Sequence, residues 1–332
     1  MTKFRKITAI AAAALILVSL LLAFGLRLGI MCIPRELYEY GNSSDWSDEI
    51  NYSHVAVYVT SENGFEEDRI YYAESAIESA CITESYETEY NRYGASCERE
   101  VSVYRDGATN GVSCTATVYM GDYFLFHRIP LREGAYPSDN AVITDTVILD
   151  EDAAWQLFGS AHDVTGMEVE INGNIYTIIG VSERASGVYT KTYGDKPRIY
   201  IAGNSAGFRD EDIKYTTFDV MMPDPITKFA ENAVSGAVGS SDAVIKNIDT
   251  RFDGSSLKEM LDGTVKLITD STDTEYPFTE KATLILVLKA ADLYSVERIA
   301  FIVSIVGAVI LFWALYRPVM DAIGRLFKKL RS

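Results

Sequence analysis

Residues 140–181 read NAVITDTVILDEDAAWQLFGSAHDVTGMEVEINGNIYTIIGV and carry the clearest fold signal in the chain. Ala141 to Leu149 is rich in β-branched residues, which predicts a half-buried strand. Asp150 is suited to cap the helix that follows, and Gly159 is suited to end it. The stretch therefore begins as a strand followed by a short helix.

The second half of this stretch predicts a β-hairpin. Residues 167–171 and 175–181 alternate apolar and polar side chains on either side of Asn172-Gly173-Asn174. An Asn-Gly turn between two such runs is a strong hairpin signal, because both central residues must tolerate positive φ.

Strand and helix patterns recur on both sides of the central stretch. Two similar strand, helix, strand orders surround an insertion, which is typical of a split βαβ, ferredoxin-like unit. We predict an α+β domain of two lobes, one from 50–120 and 214–275, the other an inserted β-rich lobe over 121–213. The further predicted strands are His54–Thr60, Glu98–Tyr104, Val112–Met120, Arg198–Ala202, Thr217–Met222 and Ala243–Asp249, and the predicted helices are Glu66–Ile82, Pro225–Gly239 and Ser255–Leu261.

Two segments are apolar enough to cross a membrane. Residues 7–26 carry no charge and predict a transmembrane helix over 7–28, after a cytoplasmic stretch over 1–6. A cleaved signal peptide is the alternative, but residues 27–31 do not supply an A-x-A-like site, so a retained anchor is favoured. Residues 299–316 predict the second span, and basic residues follow it at once. The resulting plasma-membrane topology is two-pass, with cytoplasmic termini and an extracytoplasmic domain over 29–275.

The segment before the second span has two interpretations. Residues 279–301 contain no Gly or Pro, so a stalk helix over 276–298 is expected to continue into the membrane. The alternative is a last strand over 283–288 with a helix that starts near Asp292.

Several short segments of the domain carry a family resemblance. Together they resemble the extracytoplasmic core domain of MacB-like ABC transporter permeases, the FtsX-related group. The segments are strand and turn signatures, and none of them is catalytic. They are Gly121-Asp122-Tyr123-Phe124, Pro130-Leu131-Arg132-Glu133-Gly134, Ala154-Trp155-Gln156-Leu157-Phe158-Gly159, Gly166-Met167-Glu168-Val169-Glu170-Ile171-Asn172-Gly173 and Tyr176-Thr177-Ile178-Ile179-Gly180-Val181.

The resemblance implies a role in transport. In that family the extracytoplasmic domain and its stalk relay motion, while a separate ATPase hydrolyses ATP in the cytoplasm. Family permeases usually have four spans, and this chain has two predicted ones. We therefore expect a non-catalytic permease-like subunit or accessory protein, with an ABC ATPase or another permease chain as partner. The alternative is a membrane-anchored extracytoplasmic binding or scaffold protein without an ATPase partner.

Two features outside the domain are candidate contact sites. Ala300, Ser304, Gly307 and Ala308 give the second span a small-residue face suited to close helix packing. The tail over 317–332 predicts a basic amphipathic helix, with its candidate contact residues at Arg325, Phe327, Lys328 and Lys329. Such a helix either lies on the anionic inner leaflet, in contact with membrane lipid, or docks on a cytoplasmic ATPase.

Composition excludes some functions. The net charge is −17, and basic residues cluster at the two ends, so the middle is strongly acidic and a poor match to nucleic acid. The four cysteines show no C-x-x-C spacing, which argues against a zinc site. Cys97 and Cys114 flank a predicted turn, and either a disulfide or a reduced pair fits an extracytoplasmic location.

The enzyme motifs in the chain are incomplete. Gly203-Asn204-Ser205-Ala206-Gly207 matches G-x-S-x-G, but all three histidines precede it, so a loop after an edge strand is favoured over a hydrolase. Residues 249–254 lack the ligands of a calcium loop, and the acidic residues Asp270, Asp273 and Glu275 are expected to be a solvated loop. The chain has no P-loop motif. We expect no catalytic activity and no cofactor.

Overall fold

The fold is taken from a computed structural model of the whole chain. It describes residues 3–37, 50–105, 107–138, 143–184, 196–209, 211–226, 228–239, 243–248, 293, 296–316 and 320. These divide into two compact units, one containing the sheet domain and the other containing both long apolar helices. Each unit is described by itself.

The described chain contains six helices and ten strands. The helices are α1 Lys3–Leu37, α2 Glu67–Thr83, α3 Tyr123–Phe126, α4 Glu151–Phe158, α5 Phe229–Val238 and α6 Val296–Tyr316. The strands are β1 Tyr52–Tyr58, β2 Arg92–Arg105, β3 Val112–Gly121, β4 Leu131–Gly134, β5 Thr146–Asp150, β6 Glu168–Ile171, β7 Asn174–Ser182, β8 Arg198–Ala202, β9 Thr217–Pro223 and β10 Val244–Asn247.

The central stretch folds as its sequence predicts. The Asp150 carboxylate accepts a hydrogen bond from the Ala153 N–H at 2.7 Å and so caps α4. Gly159 ends that helix in the left-handed region, at φ 72°. Asn172 and Gly173 both have positive φ, and Ile171 pairs with Asn174 across them. The predicted strand, helix and hairpin are confirmed, with the strand starting at Thr146.

The described strands form one ten-stranded sheet. Its order is β10-β1-β9-β2-β3-β8-β5-β7-β4, and β6 pairs with β2 and β7. The pairs β3 with β8 and β5 with β7 are parallel, and the remaining pairs are antiparallel. The prediction that β8 is an edge strand is wrong, because β8 lies between β3 and β5.

The two predicted lobes meet in this sheet. β10, β1, β9 and β2 lie side by side as antiparallel neighbours, with α2 and α5 as their connecting helices. The strands of the inserted segment occupy the other end, and they join through the β3–β8 and β2–β6 pairs. The result is a mixed α/β domain, and its division at residues 120 and 214 stays a prediction.

The core lies between the sheet and its helices. α2 buries Ile70, Ala73, Ile77 and Cys81, and α5 buries Ala230, Val234 and Val238. Cys97 pairs in register with Val118, whereas Cys114 pairs with Val101, four positions along the ladder. Both thiols are buried and neither is part of a disulfide, so the predicted alternative of a Cys97–Cys114 disulfide is not formed.

Some predictions fell short of the structure or lie outside it. α3 and β4 have no counterpart among the predicted elements, and β2 starts at Arg92 instead of Glu98. Several predictions lie outside the described residues: the helix at 255–261, the loops at 249–254 and 270–275, and nearly all of the stalk over 276–298.

Candidate functional site

The predicted small-residue face of the second span lies on α6, and most of it is buried. Ala300 is 5% exposed and Ser304 is 8% exposed. Gly307 is also buried, whereas Ala308 is exposed. A Cβ at Gly307 would lie 2.8 Å from Cγ1 of Ile16 on α1, so the glycine allows the two helices a close approach.

Three contacts show that α1 and α6 pack antiparallel, and a fourth continues the same order to Leu293, which precedes α6. Moving along α1, Arg5 lies with its guanidinium carbon 5.6 Å from the ring centroid of Trp313, and Ile16 lies against Gly307. Farther on, Arg27 lies 3.6 Å from Glu297, and Gly29 lies beside Leu293. The residue numbers rise on one helix as they fall on the other. We call this pair of helices the hairpin.

The hairpin has the composition of membrane-spanning segments. Lys3–Met31 and Val296–Tyr316 are long and apolar enough to cross a membrane. The face predicted to meet another permease chain is therefore in contact with the chain's own α1, and its use by a partner stays a prediction. The tail residues Arg325, Phe327, Lys328 and Lys329 lie outside the described residues.

A buried polar site lies in the sheet domain and joins β9, β1 and the end of α3. The Asp219 carboxylate on β9 lies 2.9 Å from Nε2 of His54 on β1. It also lies 2.9 Å from Nε2 of His127, which directly follows α3. Each imidazole contacts a different carboxylate oxygen. All three residues are buried, and Asp219 and His54 are 0% exposed. We call this set the buried histidine cluster.

The two imidazoles keep the Asp219 carboxyl ionised. Burial alone raises the pKa of the Asp219 carboxyl, but the charge and hydrogen bonds of His127 and His54 outweigh burial and hold that pKa well below its usual range. An aromatic ring packs on each imidazole. The ring centroids of Phe126 and His54 are 4.8 Å apart, and those of Tyr123 and His127 are 4.7 Å apart. The cluster thus ties α3 to the sheet from inside.

Sequence reasoning missed this cluster, although a signal exists. His54 and His127 are separated from Asp219 by 165 and 92 residues, so no spacing motif connects them. The signal is the position of a carboxylate inside the apolar strand TFDVMMP, whose seven residues are all buried. A buried carboxylate requires partners, and His54 lies on the neighbouring strand, two positions from Ala56, the residue that pairs with Asp219.

A family model described as the MacB-like periplasmic core domain matches residues 42–242, which is more than half of the chain. The chain belongs to the MacB-like periplasmic core domain family. No curated protein sequence matches the chain.

Two solved structures resemble the MacB-like chain. The periplasmic region of MacB from Actinobacillus actinomycetemcomitans is 14% identical, with a TM-score of 0.42, covering 62% of this chain and 95% of that one. The extracellular domain of the noncanonic ABC-type transporter YknZ from Gram-positive bacteria is 14% identical, with a TM-score of 0.40, covering 59% of this chain and 100% of that one.

Two of the family-like segments depend on glycine. Gly121 ends β3 at φ +64°, where a Cβ would lie 2.4 Å from the carbonyl oxygen of Tyr93. Gly134 ends β4 at φ +82°, where a Cβ would lie 2.1 Å from the carbonyl oxygen of Ile179. Any side chain at either position would clash with backbone, so these MacB-like signatures are steric requirements of the sheet.

The serine of the G-x-S-x-G motif has a structural role in this MacB-like domain. Ser205 is 0% exposed, and its hydroxyl donates a hydrogen bond to the Ala202 carbonyl at 2.6 Å. The same hydroxyl lies 3.0 Å from the Tyr176 hydroxyl, which accepts a hydrogen bond from the Gly207 N–H. These bonds fix the loop that follows β8.

The MacB-like domain also has an open apolar cavity of about 640 Å³ beside β4 and β7. The residues that line it include Ala135, Ser138, Ile143, Ile178 and Ile179. Residues 139–142, which connect those two, lie outside the described residues.

Proposed function

We propose that this chain is a non-catalytic permease-like subunit or accessory protein of an ABC-type transport assembly. Its role would be to couple movement of the hairpin helices to the extracytoplasmic domain. The observation that carries the proposal is a MacB-like core domain at 42–242 with an apolar helix on each side. Proteins of this family are transporter-associated, which makes an ABC ATPase a plausible partner.

The proposed topology is two-pass, with both termini in the cytoplasm and the domain outside. The basic residues Lys3, Arg5 and Lys6 precede the first apolar run, and more follow the second. Positive charges on both flanks favour this orientation. The basic tail at 325–329 would then lie on the ATPase side, where it would contact the ATPase or the anionic inner leaflet.

A pull-down tests the partner. The full-length tagged chain is extracted from its native membrane in a mild detergent, and bound proteins are identified by mass spectrometry. We expect a P-loop ATPase to be recovered with it. A variant with Lys328→Glu and Lys329→Glu should lose the ATPase and stay in the membrane if the tail docks, and an unrelated two-span protein with the same tag is the control.

The second candidate is a membrane-anchored scaffold or binding protein without an ATPase. One observation favours it: Ala300, Ser304 and Gly307 of α6 are buried, and Gly307 lies against Ile16 of the chain's own α1. Recovery of the chain alone, in a detergent that preserves a known transporter complex, would support this candidate and contradict the transporter subunit.

A further inference from the structure

Among the residues that the structure describes, one ion pair joins the two apolar helices of the hairpin. Nη1 of Arg27 lies 3.6 Å from Oε2 of Glu297. The two side chains differ in exposure: the Glu297 side chain is 7% exposed and the Arg27 side chain is 55% exposed. Arg27 directly follows the uncharged run 7–26 and Glu297 precedes the run 299–316, so the pair lies at one boundary of the apolar region.

We propose that the Arg27–Glu297 pair sets the register of the hairpin. Apolar side chains on two membrane helices pack in several ways, because lipid and protein are equally apolar and a shift of one turn changes few contacts. A buried carboxylate is different, because it is strongly disfavoured without a countercharge. A shift of one turn, about 5.4 Å, would move Glu297 away from Arg27.

The opposite end of the hairpin is a weaker determinant of register. Arg5 lies over the ring of Trp313, and Trp313 is 58% exposed. Lys3 and Lys6 lie close in sequence to Arg5 and offer substitute cations after a shift. At the Glu297 end, Arg27 lies within contact distance of the carboxylate. Register should therefore depend on Glu297 and Arg27 far more than on Arg5.

Cysteine cross-linking tests this proposal in the full-length chain in membranes. Ile16→Cys with Gly307→Cys reports the observed register, because their side chains would be adjacent. Ile16→Cys with Val303→Cys, and Ile16→Cys with Leu311→Cys, report shifts of one turn in each direction. Cys32 is replaced by Ser, and protection from a maleimide reagent measures the oxidised fraction. We expect the disulfide of the first cysteine pair to form at least about tenfold faster than the disulfides of the other two pairs.

The charge variants decide the outcome. Arg27→Glu should bring the three rates to within about threefold of one another, since it opposes two carboxylates. The exchange Arg27→Glu with Glu297→Arg should restore the original preference. Arg5→Glu is the matched control and should leave the preference unchanged. If Arg27→Glu fails to insert, Glu297→Gln replaces it and should also lower the preference.

An unchanged preference in Arg27→Glu, or in Glu297→Gln, would overturn the proposal and assign the register to contacts other than the ion pair. Loss of preference in Arg5→Glu as well as Arg27→Glu would also overturn it, because any change of charge would then suffice. These readouts require no ATPase, so the result is independent of the proposed transport function.

Discussion

One carboxylate in the core of the sheet domain and one on its surface each hold a chain segment in place. The two carboxylates differ in their access to solvent. Asp219 is buried and binds two imidazoles, which anchors the end of α3. Glu133 is partly exposed and accepts hydrogen bonds from the N–H groups of Asp163, Val164 and Thr165, which anchors the turn before β6. Both carboxyls have a lowered pKa. The comparison indicates that burial, more than the number of hydrogen bonds, should set the energetic effect.

The largest effect is expected from Asp219→Ala. Removal of the carboxylate leaves two buried imidazoles without their shared acceptor, so unfolding free energy should fall by about 3–5 kcal/mol. Urea unfolding of the full-length protein in micelles, followed by circular dichroism, measures this change. Glu100→Ala, at a side chain 73% exposed on β2, is the control. A loss of unfolding free energy below about 1 kcal/mol in Asp219→Ala would contradict the comparison. Burial of the carboxylate would then not determine how much it stabilises the fold.

Asp150 extends the comparison to a buried carboxylate that accepts backbone N–H groups. Burial raises its pKa to about 6, although hydrogen bonds from Ala153 and Arg198 and the charge of Arg184 act to lower it. Because the folded pKa exceeds the unfolded value of about 3.9, the folded state binds more protons between these values. Stability should therefore rise as the pH falls through this window.

The measurement compares the wild type with Asp150→Asn, which does not titrate. From pH 7 to pH 4 the unfolding free energy of the wild type should rise, relative to the variant, by on the order of 2 kcal/mol. Other titrating groups, including Glu74, are common to both proteins and cancel. A difference that stays constant with pH would show that the hydrogen bonds fully compensate for burial.

Glu133→Gln should have a smaller effect of about 1 kcal/mol, since solvent screens the exposed carboxylate. Partial burial acts to raise the pKa of Glu133, but the hydrogen bonds to residues 163–165 lower it overall. Its stabilisation is therefore complete above the unfolded pKa of about 4.3 and is lost as the pH falls through the folded pKa.

Chemical denaturation at several pH values tests this sign, which is opposite to that of Asp150. The deficit of Glu133→Gln should be present at pH 7 and should shrink at acidic pH. Glu168→Gln, an exposed carboxylate on β6, is the control. A deficit that grows on acidification would contradict the assigned direction of the pKa.

The sequence predicted local elements where the local signals agree. Asp150, Gly159 and Asn172-Gly173 each satisfy a requirement of the backbone next to them. The strand, the helix and the β-hairpin could therefore be predicted from residues 140–181. β2 shows the opposite case. Its first residues include Gly94 and Ala95, which are poor strand formers, but a Cβ at Gly94 would lie 3.1 Å from the Phe126 ring. Tight packing of α3 against β2 therefore favours glycine at this position, and the glycine weakens the strand signal in the sequence.

The two candidate sites also differ in how much of each could be predicted from the sequence. The small residues of α6 recur at helical spacing, so the candidate face was visible in sequence, but its contact with α1 depends on helices almost three hundred residues apart. The buried histidine cluster depends on β1 lying next to β9, which sheet order decides. A carboxylate within an apolar strand signals only that some partner exists.

The smallest effect is expected at the ion pair between Lys196 and Glu100. Both side chains are well exposed, at 49% and 73%, so Lys196→Met should change the unfolding free energy by less than about 0.5 kcal/mol, and 1 M salt should remove the change. Arg198 and Glu98 form the matched pair, each two residues along the chain from its counterpart, and their side chains are 18% and 26% exposed. Arg198→Met should cost more, because it leaves a half-buried carboxylate and removes packed methylene groups. Equal losses would mean that contact geometry, and not burial, separates the core of this domain from its surface.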